Sequence, residues 1–238
     1  MKTLLIVGFG DVARRAMPHV LASYRVLALV RTGDAAAHAA RFGAIPISGD
    51  LDRPETLGAL ADSADCVLHL APPDKDSPEN PRDQRTRSLV AALSARAMVA
   101  HANGAIRGLE CLVYVSTSGV YGDCGGARVD EDRAVNPQSD RAWRRMDAER
   151  TLLEWGAREN VRVSILRVPG IYAEDRLPTA RLAQGTPTLR AEDDVFTNHI
   201  HAEDLAVACA AALARGVGGR IYNVSDDSEL RMGEYFDL

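Results

Sequence analysis

The chain has 238 residues, of which 46% are hydrophobic and 26% are charged, with a formal net charge of -5. This composition excludes a disordered or fibrous chain and predicts a globular domain with a full core. The negative charge argues against a nucleic-acid partner. The sequence holds no run of about 18 apolar residues, so no membrane helix is predicted. The short apolar start leads into glycines rather than a cleavage site, so we expect a cytoplasmic protein without a signal peptide.

Short apolar runs alternate with helical patterns along the chain. The predicted strands are Thr3–Val7, Arg25–Val30, Ala44–Ile47, Cys66–Leu70, Leu109–Ser116, Arg162–Arg167 and Arg220–Val224. The predicted helices are Val12–Ala22, Asp34–Phe42, Pro54–Ser63, Gln84–Ala102, Arg141–Arg158, Ala202–Ala214 and a last one that starts at Met232. Apolar runs of this length are typical of strands buried on both faces of a parallel sheet. The alternation predicts a doubly wound α/β sheet, that is, a Rossmann fold.

Three segments interrupt the alternation and are predicted to be loops or irregular: Ala71–Pro81, Thr117–Gln138 and Ile171–His199. In open α/β sheets, ligands bind beyond the carboxyl ends of the strands. Because each segment follows a strand, and long loops are usually functional, we expect the three to form walls of one cleft. We therefore predict a single nucleotide-binding domain over residues 1–238. Residues 171–199 and 225–238 would form a small substrate-binding portion.

A glycine-rich turn follows the first strand and reads Gly8-Phe9-Gly10-Asp11-Val12-Ala13. Gly8 permits a tight turn, and Gly10 lets the backbone approach a pyrophosphate because it has no Cβ. Ala13 is small enough for close helix–strand packing. The following helix would supply free N–H groups and the positive end of its dipole. The turn therefore predicts dinucleotide binding, with the alternative of a purely structural turn.

The residue at the end of the second strand bears on the choice between NAD and NADP. An acidic residue there would bind the ribose 2′-hydroxyl of NAD. This chain has Arg31 instead, whose guanidinium could pair with the 2′-phosphate of NADP. Arg14 or Arg15 could assist. We therefore favour NADP, and NAD bound through the backbone, with Arg31 solvated, stays open as the alternative.

An ordered set of motifs runs along nearly the whole chain. The set consists of the glycine-rich turn, Gly49-Asp50-Leu51, His69-Leu70-Ala71-Pro72, Tyr114-Val115-Ser116-Thr117-Ser118-Gly119-Val120-Tyr121-Gly122-Asp123, Leu166-Arg167-Val168-Pro169-Gly170-Ile171-Tyr172, Asn198-His199-Ile200-His201-Ala202-Glu203-Asp204-Leu205-Ala206 and Tyr222-Asn223-Val224-Ser225. In this set the sequence resembles the NAD-dependent epimerase/dehydratase branch of the short-chain dehydrogenase/reductases, and more closely its atypical members.

The resemblance implies roles for the matching positions. Cofactor-binding residues would be Gly8, Phe9, Gly10, Asp11, Val12, Arg31, Asp50, Leu51, Ala71, Pro72, Pro169, Gly170 and Ile171. Of these, Asp50 and Leu51 would line the adenine site, whereas Pro169 and its neighbours would lie near the nicotinamide. Thr117 matches the hydroxyl residue that binds a substrate oxygen. The resemblance also implies a homodimer through the helices Gln84–Ala102 and Arg141–Arg158, with a monomer as the alternative.

The family's Tyr-x-x-x-Lys pair is missing from the chain. The matching helix has Arg141 in place of the tyrosine and Arg145 in place of the lysine, and the chain has only two lysines, Lys2 and Lys75. An arginine keeps its proton and is a poor general base, although it could orient an anionic substrate or stabilise an oxyanion. The resemblance then implies Thr117, Tyr121, Arg141 and Arg145 as the candidate catalytic residues, with a packing role as the alternative for Tyr121.

Other polar residues receive less weight. His199 could face the cleft or be a surface histidine, whereas Asp147 and Glu149 are interpreted as carboxylates on a helix surface that pair with arginines. No metal-ligand spacing is found. Two functions stay open: an oxidoreductase or epimerase that acts on a small carbonyl or sugar-like substrate, or a non-catalytic NADP(H)-binding sensor or partner-binding protein.

Overall fold

A computed structural model describes residues 1–61, 63–74, 82–103, 108–177, 183–184 and 190–237. The strands are β1 Lys2–Val7, β2 Tyr24–Val30, β3 Ile45–Ser48, β4 Cys66–His69, β5 Cys111–Thr117, β6 Arg162–Val168, β7 Gly170–Tyr172, β8 His199–His201 and β9 Arg220–Asn223. The helices are α1 Asp11–Val20, α2 Gly33–Arg41, α3 Gln84–Asn103, α4 Asp140–Glu159, α5 Ala202–Arg215 and α6 Met232–Asp237. In this part of the chain, no helix is both long and apolar enough to cross a membrane.

Within the described residues, seven parallel strands form one sheet in the order β3-β2-β1-β4-β5-β6-β9. Alternate side chains of each strand enter opposite cores because successive residues of a strand point to opposite faces. In β1, Leu4 and Ile6 pack with α1 and α5 on one face, whereas Leu5 and Val7 pack with α3 and α4 on the other. The doubly wound Rossmann fold predicted from the sequence is therefore confirmed.

The predicted helix Pro54–Ser63 is wrong. The chain forms two short 3-10 turns there, Pro54–Thr56 and Gly58–Leu60. The Thr56 hydroxyl donates to the Arg53 carbonyl oxygen (2.7 Å) and accepts from the Asp50 N–H (2.9 Å). These local bonds give the backbone an alternative to the α-helical ladder.

The segment predicted to be irregular after β6 contains two strands, β7 and β8, which pair in parallel as a small separate sheet. Each has three residues, too few to show an alternating pattern in the sequence. Of the predicted loop Ala71–Pro81, residues 71–74 have no helix or strand, and residues 75–81 lie outside the described residues.

The two segments assigned to the substrate side lie against each other. Phe196 forms an isolated antiparallel bridge with Arg231. On either side of it, the Thr197 N–H donates to the Leu230 carbonyl oxygen, and the Met232 N–H donates to the Val195 carbonyl oxygen, both at 2.9 Å. The polypeptide before β8 and the residues before α6 thus pair with each other through their backbones.

Candidate functional site

The glycine-rich turn brings the end of β1 against the end of β4. Gly8 has a positive φ of 94°. A Cβ added to Gly8 would lie 2.6 Å from the Ala71 backbone nitrogen. Ala71 is held there because its N–H and that of Leu70 both donate to the Val7 carbonyl oxygen, at 2.9 and 2.8 Å. Only glycine fits this conformation and this close approach.

Gly10 is exposed at the start of α1 and has free space in front of it. A Cβ added to Gly10 would meet no atom within 4 Å. Gly10 caps α1 without a side-chain hydrogen bond, so the first N–H groups of the helix are left for another acceptor. Unpaired N–H groups at a helix start beside open space fit a phosphate group.

Three arginines surround the carboxylate of Asp11, the first residue of α1. Its oxygens lie 2.7 Å from Arg14 Nη2, 3.1 Å from Arg15 Nε and 3.1 Å from Arg176 Nη1. Burial would raise the pKa of Asp11, but hydrogen bonds from Arg176 and Arg15 outweigh it and hold the pKa below its ordinary value. Sequence reasoning missed Arg176, which lies in an irregular segment without a motif.

The predicted phosphate helpers Arg14 and Arg15 are engaged within the protein. Arg15 also donates to Asp175 and Glu203, each at 2.7 Å. Arg14 pairs with Asp11, and its guanidinium lies 5.9 Å from the centre of the Phe42 ring. Both arginines therefore contribute to an ion network at the start of α1.

Arg31 follows β2 directly, is exposed, and makes no hydrogen bond or ion pair with any described residue. Its charge helps to lower the pKa of Asp52, although the hydrogen bond from Arg85 is the main cause. Arg85 holds Asp52 through two contacts of 2.6 Å and donates to the Pro72 carbonyl oxygen at 3.1 Å. The neighbouring Leu51 is buried in the core. Arg31 therefore has a free guanidinium beside a fixed loop.

Thr117 is the last residue of β5 and caps the 3-10 turn Ser118–Tyr121, which ends at Tyr121. Thr117 is half-buried, and its Oγ1 accepts from the Gly119 N–H at 3.2 Å. Tyr121 is buried, its hydroxyl donates to Asn223 Oδ1 at 2.8 Å, and the Arg167 guanidinium lies 4.7 Å from its ring centre. Of the two hydroxyl groups, only that of Thr117 retains a free proton for a ligand.

Arg145 points into the protein. It is buried, and its Nη1 donates to the Tyr114 hydroxyl at 2.9 Å and to the Val115 carbonyl oxygen at 2.7 Å. Its Nε is buried without a hydrogen-bond partner among the described residues. Arg141 lies one helical turn nearer the start of α4 on the same face. Arg141 is exposed, and its guanidinium makes no hydrogen bond or ion pair with a described residue.

Two carboxylates of α4, those of Glu149 and Asp147, have partners inside the protein. Glu149 accepts from the Ser116 hydroxyl at 2.5 Å and from Arg167 Nη2 at 2.8 Å. Asp147 accepts from Arg87 at 2.8 Å and from the Asp83 N–H at 2.9 Å. Both carboxylates are buried, so their assignment to the helix surface is wrong, although both pair with arginines. The error arises because α4 packs on the sheet and on α3, which buries more than one stripe of the helix.

His199 is buried and packs against the segment assigned to the nicotinamide. A Cβ added to Gly170 would lie 3.0 Å from His199 Cδ2. The His199 ring stacks on Tyr235 with ring centres 3.9 Å apart. Burial lowers the pKa of His199. In the described residues, no group of three or more His, Cys, Asp or Glu side chains could hold a metal ion.

The sequence-predicted positions converge on one edge of the sheet. The following lie at or just beyond the carboxyl ends of successive parallel strands: Gly8 to Val12, Arg31, Asp50 and Leu51, Ala71 and Pro72, Thr117, and Pro169 to Ile171. Arg145 lies behind this edge, in the protein interior. The strand order reverses between β1 and β4, which is the position where open α/β sheets bind nucleotides.

Comparison with known proteins supports a specific family. The model described as "NAD dependent epimerase/dehydratase family" matches residues 4–225. A GDP-6-deoxy-D-mannose reductase from Pseudomonas aeruginosa is 29% identical over 219 residues, which cover 82% of this chain and 68% of the reductase.

Two solved structures have the same fold. That of RMD from Pseudomonas aeruginosa, complexed with NADPH, has a TM-score of 0.72 and 23% identity, covering 100% of this chain and 82% of the other. That of UDP-glucuronic acid 4-epimerase from Bacillus cereus, in complex with NAD, has a TM-score of 0.77 and 19% identity, covering 99% and 82%.

Proposed function

The chain belongs to the NAD-dependent epimerase/dehydratase family, and from this premise we propose that it is an NADP(H)-dependent oxidoreductase or epimerase. Its substrate would be a small carbonyl or sugar-like compound. The family binds NAD or NADP. The observation that carries the proposal is the open space in front of Gly10, at the start of a helix whose first N–H groups lack a side-chain partner.

The cofactor would be held along the carboxyl edge of the sheet. The Gly8–Gly10 turn and the first N–H groups of α1 would bind its pyrophosphate. Arg31, whose guanidinium is free of other described residues, would bind a 2′-phosphate, and this favours NADP over NAD. The NADPH complex of the Pseudomonas aeruginosa protein supports that choice, and the NAD complex of the Bacillus cereus protein supports the alternative. When bound, the cofactor would supply or accept a hydride.

The substrate would lie between the turn after β5 and the start of α4. The Thr117 hydroxyl would donate to a substrate oxygen, and Arg141 would orient an anionic group or stabilise negative charge on that oxygen. Arg145 would hold β5 in place from behind. Tyr121 stays a candidate for proton transfer, but its hydroxyl would first have to leave Asn223, 2.8 Å away.

A second function is favoured by the interior orientation of Arg145. This side chain occupies the lysine position of the missing pair, yet its Nη1 is bonded to Tyr114 and Val115. With the tyrosine position also taken by arginine, the family's proton relay is absent. The alternative is therefore a protein that binds NADP(H) without turnover and acts as a sensor or binds a partner.

Calorimetric titration with NADP and NAD in parallel, followed by an NADPH-oxidation assay over a panel of carbonyl compounds, tests the proposal. We expect micromolar binding with a preference for NADP, and slow turnover that Thr117→Val abolishes while leaving cofactor affinity unchanged. Tight binding without turnover over the whole panel would favour the non-catalytic function. No binding of either nucleotide would refute both.

We keep the homodimer through α3 and α4 as a prediction. The outer faces of these helices enclose an open groove of about 440 Å³ whose lining includes Arg82, Arg87, Arg150 and Arg158. Glu154 also lines the groove, but the arginines outnumber it, so two such faces brought together would place more like than opposite charges near each other, which opposes association. Sedimentation at low and high salt would measure this effect, and we expect any dimer through this face to strengthen as salt is added.

A further inference from the structure

The start of α1 has a feature that a phosphate-binding turn does not need. Asp11, directly after Gly10, places a carboxylate at the helix end where the cofactor pyrophosphate is proposed to bind. Like charges repel, so an uncompensated Asp11 would weaken phosphate binding at this position. Asp11 is well placed for the helix dipole on its own, but it competes with an anionic ligand for the same positive end.

Arginine side chains compensate the Asp11 charge, and they differ in origin. Arg14 and Arg15 belong to α1 itself, so they accompany Asp11 in every conformation. Arg15 also donates to Asp175 and Glu203, so acidic partners already take up its charge. Arg176 comes from the 3-10 turn Glu174–Arg176 beyond β7, and its Nη1 lies 3.1 Å from Asp11 Oδ2.

We propose that Arg176 is a further determinant of cofactor affinity, which acts by neutralising Asp11 beside the phosphate-binding turn. This inference rests on the proposed function, because it requires a dinucleotide at the glycine-rich turn. The glycine-rich turn and the start of α1 would then not be sufficient for full affinity. The segment after β7 supplies the positive charge of Arg176, so dinucleotide binding is coupled to the position of residues 174–176.

The network also explains how that position is maintained. Arg15 lies between Asp11, Asp175 and Glu203, which belong to α1, the turn after β7 and the start of α5. Arg176 and Asp175 are neighbours in the chain, and both bind α1. Arg176 pairs with Asp11, and Asp175 pairs with Arg15. A dinucleotide would favour this arrangement, because Arg176 brings one positive charge beside Asp11, at the helix end where the pyrophosphate is proposed to bind.

A double-mutant cycle between Asp11 and Arg176 tests the inference by calorimetric titration of the full chain with NADP. We expect Arg176→Gln to weaken NADP binding about tenfold, which corresponds to about 1.4 kcal/mol. Asp11→Asn alone should bind NADP at least as tightly as the wild type. The double variant should recover most of the affinity lost in Arg176→Gln. The loss should shrink as salt is raised, because screening weakens repulsion between partly exposed charges.

The matched control is Lys2→Gln, which removes another exposed cation paired with a carboxylate, that of Glu110, at the opposite end of β1 from the glycine-rich turn. It should leave NADP affinity unchanged, and urea unfolding of every variant should show that the fold is intact. Unchanged affinity in Arg176→Gln, or a loss that Asp11→Asn does not restore, would overturn the inference. A wild-type chain that binds no dinucleotide at all would instead overturn the proposed function.

Discussion

The two halves of the carboxyl edge of the sheet use their polar side chains differently. Beyond β1 and β2 the surface is open: nothing fills the space in front of Gly10, and Arg31 bonds to no described residue. Beyond β5 and β6 the polar groups bond to one another, as Arg145 does to Tyr114 and Arg167 to Glu149. The first half, here called the open half, leaves space and polar groups for a ligand. In the second half, here called the closed half, most polar groups already bond to other groups of the protein.

This difference shows how a fold can keep a binding site while its chemical site changes. A glycine-rich turn binds its ligand through backbone groups, and a side chain in place of a glycine would occupy the space that the ligand needs. The region around α4 depends on side chains, and arginine there has enough donors to bond to buried carbonyl, hydroxyl and carboxylate oxygens at once. Once those donors are used within the core, they are not available to a substrate.

The largest effect is expected in the closed half, on the stability of the fold. Glu149→Gln removes the charge that faces Arg167 and leaves a buried guanidinium without its ion pair. Breaking a buried pair by removing one partner costs about 3–5 kcal/mol. We therefore expect urea denaturation to show a loss of that size in the free energy of unfolding.

Glu154→Gln provides the control for this experiment on the same helix. Glu154 is exposed and lies 4.0 Å from Arg150. Exposed pairs contribute about 0–1 kcal/mol, so this variant should unfold at nearly the wild-type urea concentration. Equal losses in the two variants would show that the closed half does not depend on its buried ion pair.

The second prediction concerns the open half, where two glycines separate folding from binding. Gly10→Val should keep most of the stability, because free space surrounds the added Cβ. It should weaken NADP binding about 100-fold or more, or about 2.7 kcal/mol, because the side chain would occupy the place of the pyrophosphate. Calorimetric titration gives the affinity, and thermal unfolding gives the stability.

Gly8→Ala should reduce the stability of the fold more directly than it reduces NADP affinity. Its Cβ would lie 2.6 Å from the Ala71 nitrogen, in a conformation with a positive φ. This variant should therefore lose stability first and cofactor binding as a result. If Gly10→Val bound NADP as tightly as the wild type, the open space would not be the pyrophosphate site.

The sequence predicted the open half better than the closed half, for a physical reason. Backbone requirements leave local signals, since Gly8 and Gly10 follow an apolar strand and precede a helix, and the alternation of elements gave the confirmed sheet. Burial of polar side chains leaves no such signal. Glu149 pairs with Arg167, 18 residues away, and only the packing of α4 brings them together.

Contacts between distant segments were also beyond sequence reasoning. Asp11 and Arg176 are separated by 165 positions, and no spacing rule relates them. The strands β7 and β8 are equally hidden, because each is only three residues long and their partners are each other. The false helix Pro54–Ser63 had a plausible helical start, yet local hydrogen bonds of Thr56 decided its structure.

The third prediction sharpens the assignment of the open half to NADP. Arg31→Asp should weaken NADP binding about 10- to 100-fold, because a charge-assisted hydrogen bond contributes about 1.5–3 kcal/mol. NAD has no 2′-phosphate, so its affinity should stay constant or rise. Parallel titrations with both nucleotides measure the ratio. Equal losses for NADP and NAD would refute a 2′-phosphate contact at Arg31.

Arg31→Lys is the matched variant that keeps the charge. A lysine would retain part of the attraction to a phosphate but lose the planar, bidentate geometry of the guanidinium. We expect a smaller loss of NADP affinity than in Arg31→Asp. An affinity as low as that of Arg31→Asp would mean that geometry, rather than charge, determines binding at the end of β2.

The last effect, which is small near neutral pH and grows as the pH falls, tests whether His69 stays neutral in the folded chain. Burial, with a further contribution from the Arg145 charge, lowers the pKa of His69 from 6.5 to about 3. The folded chain thus keeps His69 neutral while the unfolded chain takes up a proton, so stability is full above pH 6.5 and falls as the pH drops from 6.5 toward 3. The cost is about 1.4 kcal/mol per pH unit. Urea unfolding of His69→Gln should show a shallower decline over this range than the wild type. Parallel profiles for His69→Gln and wild type would mean that protons reach His69 in the folded state.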